Sequence, residues 1–220
     1  MERLGLPMKK RTNTKPQVVE EPEPPRRIKF WNESQRVCVE TILSNEITFV
    51  TGPAGTAKTF CAMAAGAIAL RQGYEKVIFT RAIVPGAQED LGWLGGSVAE
   101  RTAPWMAPLY DAAKKNGVKH DQIEQSPLSY MRGVTFSDSF AMLDEAQNLT
   151  LAQMRLYLSR FGRGSKLVVC GDEEQSDIRD GCLEFTMSRL IGLPGIGVHR
   201  FDASHIVRHS LVGKILDALK

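Results

Sequence analysis

The sequence predicts an α/β fold: a single domain built on a parallel sheet that is covered by helices on both faces. Three observations predict it. Short apolar runs (Ile47 to Val50, Lys76 to Thr80, Ala141 to Leu143, Leu167 to Cys170) alternate with longer stretches of helical pattern. The first run enters a glycine-rich loop, TGPAGTAKT (Thr51 to Thr59), which opens a helix. The third is followed by two adjacent acids, Asp144 and Glu145. In sheets of this kind ligands gather at the carboxyl ends of the strands, where both features lie.

Taken in order, residues 1–29 read as a disordered tail and residues 30–220 as the folded domain. Five of the eleven prolines lie at or before Pro25, among a basic cluster (Lys9, Lys10, Arg11) and an acidic one (Glu20, Glu21, Glu23). Such a segment buries too little apolar surface to offset its ordering entropy. A helix is expected over 34–43, then the first strand, the loop and an alanine-rich helix over 59–71. The strand at 76–80 leads through a Gly/Pro-rich loop (85–96) to a helix over 98–115. The last two strands are separated by a helix over 152–160.

Composition is that of a soluble globular chain, with 43% hydrophobic and 24% charged residues. The longest apolar run, Phe60 to Leu70, is too short to span a bilayer, and no apolar signal-peptide core opens the chain. The expectation is a cytoplasmic protein without a membrane partner. Cys38, Cys61, Cys170 and Cys182 are widely spaced, which points to reduced, packed thiols rather than zinc or disulfides. A net charge of +3 leans weakly toward polyanionic partners.

The loop is one residue away from G-x-x-x-x-G-K-[ST], with Ala57 where the second glycine belongs. Such loops bind phosphate because backbone N–H groups converge at a helix N-terminus, where the dipole also favours negative charge. Gly52, Pro53, Ala54, Gly55, Thr56 and Ala57 would wrap the phosphates, Lys58 would reach the β- and γ-phosphates, and Thr59 would ligate magnesium. The sign of φ at Ala57 decides its effect. If φ is negative the methyl group costs little. If it is positive, alanine costs about 1–2 kcal/mol, roughly a factor of ten in affinity.

Asp144 would hold Mg2+ through water, and Glu145 would polarise an attacking water, an arrangement that suits hydrolysis better than phosphoryl transfer to a small molecule. A further apolar strand runs into Gly171-Asp172-Glu173-Glu174-Gln175. This G-D-x-x-Q resembles motif III of superfamily 1 helicases, which implies that Gln175 contacts the γ-phosphate, and Asp144-Glu145-Ala146-Gln147 is similar to their motif II. Gln35 stands about where those enzymes read adenine with an amide, which would favour ATP over GTP. An equally good reading makes the Asn32/Ser34 cluster a helix cap. Only 45 residues follow Gln175, too few for a second helicase lobe. An arginine finger therefore has to come from a neighbouring subunit, from the chain's own C-terminus, or not at all.

The order of motifs is similar to the PhoH family of single-lobe ATPases. The resemblance is carried by the phosphate loop, FTRAIVPG (Phe79 to Gly86), DLGWLGG (Asp90 to Gly96), APLYDA (Ala107 to Ala112) and YMRG (Tyr130 to Gly133). It continues through LDEAQNLT (Leu143 to Thr150), GSKLVVCGDEEQSD (Gly164 to Asp177) and VRHSLV (Val207 to Val212), and so covers about Ile28 to Lys220. The short tail resembles the compact bacteriophage members. Ala57, Ala82 and Ser210 depart from the family's Gly, Pro and Pro. The resemblance implies a RecA-like P-loop fold, ATP and Mg2+ as cofactors, ATP hydrolysis, homo-oligomeric rings with a hexamer as the candidate size, and a link to RNA or single-stranded DNA.

Arg208 is the leading arginine-finger candidate, with Arg160 and Arg81 behind it; helicases of this type also place a nucleic-acid contact where Arg81 stands. Trp93 and Trp105 could stack bases, and Arg101, Arg132, Lys114 and Lys115 could extend a basic surface. The catalytic set read from sequence is thus Lys58, Glu145, Gln175 and Arg208. Two readings stay open: a strand-coupled ATPase, and a nucleotide-gated assembly module with little hydrolysis. A kinase ranks third.

Overall fold

The chain alternates between strand and helix along most of its described length. The computed structural model describes residues 28–82, 98–173, 175 and 182–207, with the backbone alone at 98–105. The proposed tail therefore lies almost wholly outside the described residues. So do the 85–96 loop with Trp93 and the VRHSLV segment beyond Val207, and the side chains of Arg101 and Trp105 are likewise outside them.

Helix α1 (Glu33–Ser44) begins at Asn32, whose side chain accepts from the Gln35 amide at 2.9 Å. Gln35, Cys38, Val39 and Ile42 recur at helical spacing and are its buried face. Strand β1 (Ile47–Thr51) then delivers the phosphate loop. The buried residues of helix α2 (Lys58–Arg71) are small apart from Met63, which lets it lie close to the sheet: a Cβ on Gly66 would come within 3.1 Å of Phe140 and 3.2 Å of Val77. Next come β2 (Val77–Arg81), α3 (Val98–Asn116), a short β3 (Ile123–Gln125) and β4 (Phe140–Asp144). The chain continues with α4 (Leu151–Leu158), β5 (Lys166–Gly171), α5 (Leu183–Leu190) and β6 (Ile196–Arg200). The helices and strands expected from sequence are all present within two residues; β3, α5 and β6 were not anticipated.

Among the described residues the six strands are all parallel, in the order β3-β2-β4-β5-β1-β6. Successive strand residues face opposite layers. Val50, Phe79, Met142 and Val168 pack with α1, α2 and α3, while Phe49, Ile78, Leu143 and Val169 pack with α4 and α5. This is the RecA-like P-loop architecture, a single domain. The strand order positions the site in two ways. The chain leaves β1 in one direction across the sheet and returns to its other side as β6, so the phosphate loop stands at a topological switch point. Strand β5 lies between β1 and β4, so the G-D-x-x-Q segment leaves the sheet between the phosphate loop and the acid pair.

Candidate nucleotide site

The loop between β1 and α2 is shaped by three positive φ angles: Gly52 at 135°, Gly55 at 90° and Ala57 at 70°. At Gly52 no side chain fits, because a Cβ would stand 2.4 Å from the Phe201 carbonyl oxygen. Ala57 takes the left-handed conformation (φ 70°, ψ 32°) as the residue that caps α2, so the costly one of the two alternatives for this alanine is the one realised. The Thr56 hydroxyl donates to the Pro53 carbonyl at 2.9 Å and closes the turn from within. Lys58 Nζ donates to the carbonyls of Gly52 (2.5 Å) and Pro53 (3.1 Å), which holds the ammonium over the loop.

Thr59 and Asp144 are 85 residues apart in sequence, and the fold joins them. The Thr59 hydroxyl lies 3.3 Å from each Asp144 carboxylate oxygen. Asp144 is 6% exposed, and burial together with the neighbouring Glu145 charge pushes its carboxyl up to about 6, against the pull of Arg81 and Thr59. A buried pair of hard oxygen donors with excess negative charge fits a divalent cation. Among the described residues there is no group of three or more His, Cys, Asp or Glu side chains that could hold a metal, so Thr59 and Asp144 would be the described residues' share of a magnesium shell.

Glu145 adopts a left-handed backbone (φ 57°) just past the strand. Its Oε1 accepts from Arg81 at 3.3 Å and its Oε2 from Gln147 Nε2 at 2.7 Å. Gln147 Oε1 in turn accepts from the Asp172 amide at 3.0 Å, tying the end of β4 to the end of β5. Sequence reasoning did not single out Gln147; its place in D-E-A-Q was the available signal. Gln175 lies four positions past β5 and is exposed.

Gln35 is fully buried, accepts from the Trp31 amide at 3.0 Å through Oε1, and its Nε2 has no partner. The cap is present, and because it uses the backbone of Gln35 it leaves a side-chain donor to spare. A buried donor without an acceptor costs about 1–3 kcal/mol, and an adenine ring nitrogen would supply one. Trp31, which sequence reasoning also passed over, is 60% exposed beside it, with its ring 5.1 Å from that of Phe60.

The segment that follows strand β6 brings two more residues to the loop, of which Val207 opens the VRHSLV motif and Phe201 had no signal in the local sequence. The Phe201 amide donates to the Thr51 carbonyl at 2.8 Å and the Val207 amide to the Gly55 carbonyl at 3.0 Å. Arg200, level with Thr51 in the sheet, pairs with Glu173 at 3.3 Å. Of the arginine-finger candidates, Arg160 is committed to structure: it donates to the carbonyls of Met131, Val134 and Leu156. Arg208 lies just outside the described residues. Lys115 pairs with Asp111 within its own helix.

A family model for PhoH, described as PhoH-like protein, matches residues 27–220. The chain belongs to the PhoH family. It is 40% identical over 203 residues to the PhoH-like protein of Bacillus subtilis, covering 87% of this chain and 63% of that one. With the PhoH-like protein of Mycobacterium tuberculosis H37Rv it shares 40% over 197 residues, 84% of this chain and 56% of the relative. Protein PhoH of Escherichia coli K12 is 36% identical over 201 residues, again with 56% of the relative covered. This PhoH family member thus spans roughly three-fifths of the length of the curated relatives it matches. A lower likeness, with a TM-score of 0.46 and 18% identity, relates 87% of the chain to 43% of the Pif1 helicase from Candida albicans. No helix among the described residues is long and apolar enough to cross a membrane.

Proposed function

We propose that this protein is a Mg2+-dependent ATPase whose turnover is coupled to single-stranded RNA or DNA. The observation that carries the reading is the junction of α2 with β4: Thr59 lies 3.3 Å from Asp144, and Glu145 follows on the same turn. The phosphate loop and Lys58 bind and orient the triphosphate through backbone N–H groups and one cation. Thr59 and Asp144 hold magnesium, which supplies charge neutralisation at the phosphates. Glu145 orients water and takes its proton. Gln175, just past the strand that runs between loop and acids, senses the γ-phosphate. Arg208, the residue after the Val207 that binds Gly55, is the arginine-finger candidate, from this subunit or from a neighbour in a ring. Gln35 is the residue that reads adenine in this proposal: Nε2 is free to donate to a ring nitrogen, and Oε1, which accepts from the Trp31 amide, keeps a second lone pair for the exocyclic amine that guanine lacks at that edge.

A second reading, a nucleotide-gated assembly module with little hydrolysis, is favoured by the left-handed Ala57 alone. Phosphate release from ATP with magnesium, with and without single-stranded RNA and DNA, separates the two when wild type is compared with Glu145→Gln. Turnover that rises with a strand and falls steeply in the variant, by about a hundredfold or more, supports the ATPase. Tight ATP binding without turnover in either protein refutes it and leaves the module.

A further inference from the structure

Arg81 and Glu145 meet because β2 and β4 are parallel neighbours in a register that sets Arg81 opposite Asp144. The resulting pair, 3.3 Å apart, is neither buried nor free in solvent: the two side chains are 24% and 38% exposed. Gln147 holds the other carboxylate oxygen and reaches across to the Asp172 amide, three residues before Gln175. Glu145 is therefore fixed by donors on both oxygens, one of them a cation. A carboxylate held on both oxygens has less freedom to turn toward a water. The same guanidinium is well suited to phosphate, which it binds through two parallel N–H bonds. A partly exposed ion pair is weak enough to be exchanged for such a contact.

We infer that Arg81 is a positioning residue that withholds Glu145 until a phosphate of a single-stranded nucleic acid takes over the guanidinium. The strand then releases the water-orienting acid, and its arrival reaches the nucleotide over the width of two neighbouring strands. The consequence for turnover rests on the ATPase reading, and the exchange of partners rests on its strand-binding part alone. Because coupling is reciprocal, a strand that frees Glu145 from Arg81 must itself bind more tightly once Glu145 no longer competes.

The test is a double-mutant cycle on strand affinity without nucleotide, using the full chain and labelled oligouridylate and oligothymidylate at one salt concentration. Wild type, Glu145→Gln, Arg81→Met and the double variant are compared, and Arg81→Gln replaces Arg81→Met if the latter does not melt cooperatively. Glu145→Gln is expected to tighten binding about two- to fivefold, and that gain is expected to vanish when Arg81 is absent. The oligonucleotide that shows the coupling identifies RNA or DNA. An equal gain with and without Arg81 would mean general charge removal and would overturn the inference, as would no binding to either strand. Strand-free phosphate release gives an independent readout: Arg81→Met should raise it and flatten its stimulation, whereas a merely structural Arg81 would lower turnover with and without strand. If wild type releases no phosphate, the ATPase reading fails while the affinity cycle still decides the exchange.

Discussion

Replacing Ala57 by glycine tests whether the phosphate loop carries its departure from consensus as backbone strain. Ala57 sits at φ 70°, ψ 32°, and its carbonyl accepts the first α2 hydrogen bond, from Cys61 at 2.9 Å, so the residue cannot relax without unwinding the helix start. An L-residue in this region costs about 1–2 kcal/mol, which glycine does not incur. Glycine returns part of that gain, about 0.4–1 kcal/mol, through a freer unfolded chain. The net expectation for Ala57→Gly is a stabilisation of about 0.5–1 kcal/mol, which raises Tm by about 1–4 °C in a chain of this size. Thermal melting and ATP titration of the two proteins read where the cost falls. A higher Tm with unchanged ATP affinity places it on folding the loop. Tighter ATP binding, by up to about tenfold, with unchanged Tm places it on closing the loop around phosphate. If neither Tm nor affinity changes, or if Tm falls, Ala57 stores no strain.

The same site yields two further predictions. Asp144 has a carboxyl raised from 3.8 to about 6, so the folded protein holds that proton more tightly than the unfolded chain does. The resulting penalty is absent below about pH 4, grows as pH rises to about 6 and is complete above it, up to about 3 kcal/mol. Asp144→Asn is therefore expected to melt several degrees above wild type at about pH 7.5 in the presence of chelator, with the gap narrowing toward about pH 5. A gap that does not depend on pH would show that the carboxylate is not destabilising. Gln35→Ala removes the spare buried amide and is expected to weaken ATP binding about tenfold while leaving GTP binding nearly unchanged. An unaltered ratio of the two dissociation constants, measured by calorimetry, would leave Gln35 with its capping neighbourhood alone.

The sequence by itself determined those features whose physics is local. A glycine-spaced loop between an apolar run and a helical pattern is legible as a phosphate-loop motif from nine consecutive residues, and Asp144-Glu145 after an apolar run lies at a strand's carboxyl end. Alternating runs of apolar residues also identified the strands that are buried on both faces, because burial is what removes polar residues from them. Two of the elements that escaped have little local pattern: β3 is three residues long, and β6 (Ile-Gly-Val-His-Arg) is an edge strand with one solvent-facing side. Tertiary structure alone decided the strand order, and with it the meeting of Thr59 with Asp144, of Arg81 with Glu145 and of Gln147 with Asp172. It also decided the sign of φ at Ala57, which depends on where the loop must turn between β1 and α2. Partners 25 to 85 residues apart are chosen by sheet register and helix packing, and no window of sequence contains both sides of that choice.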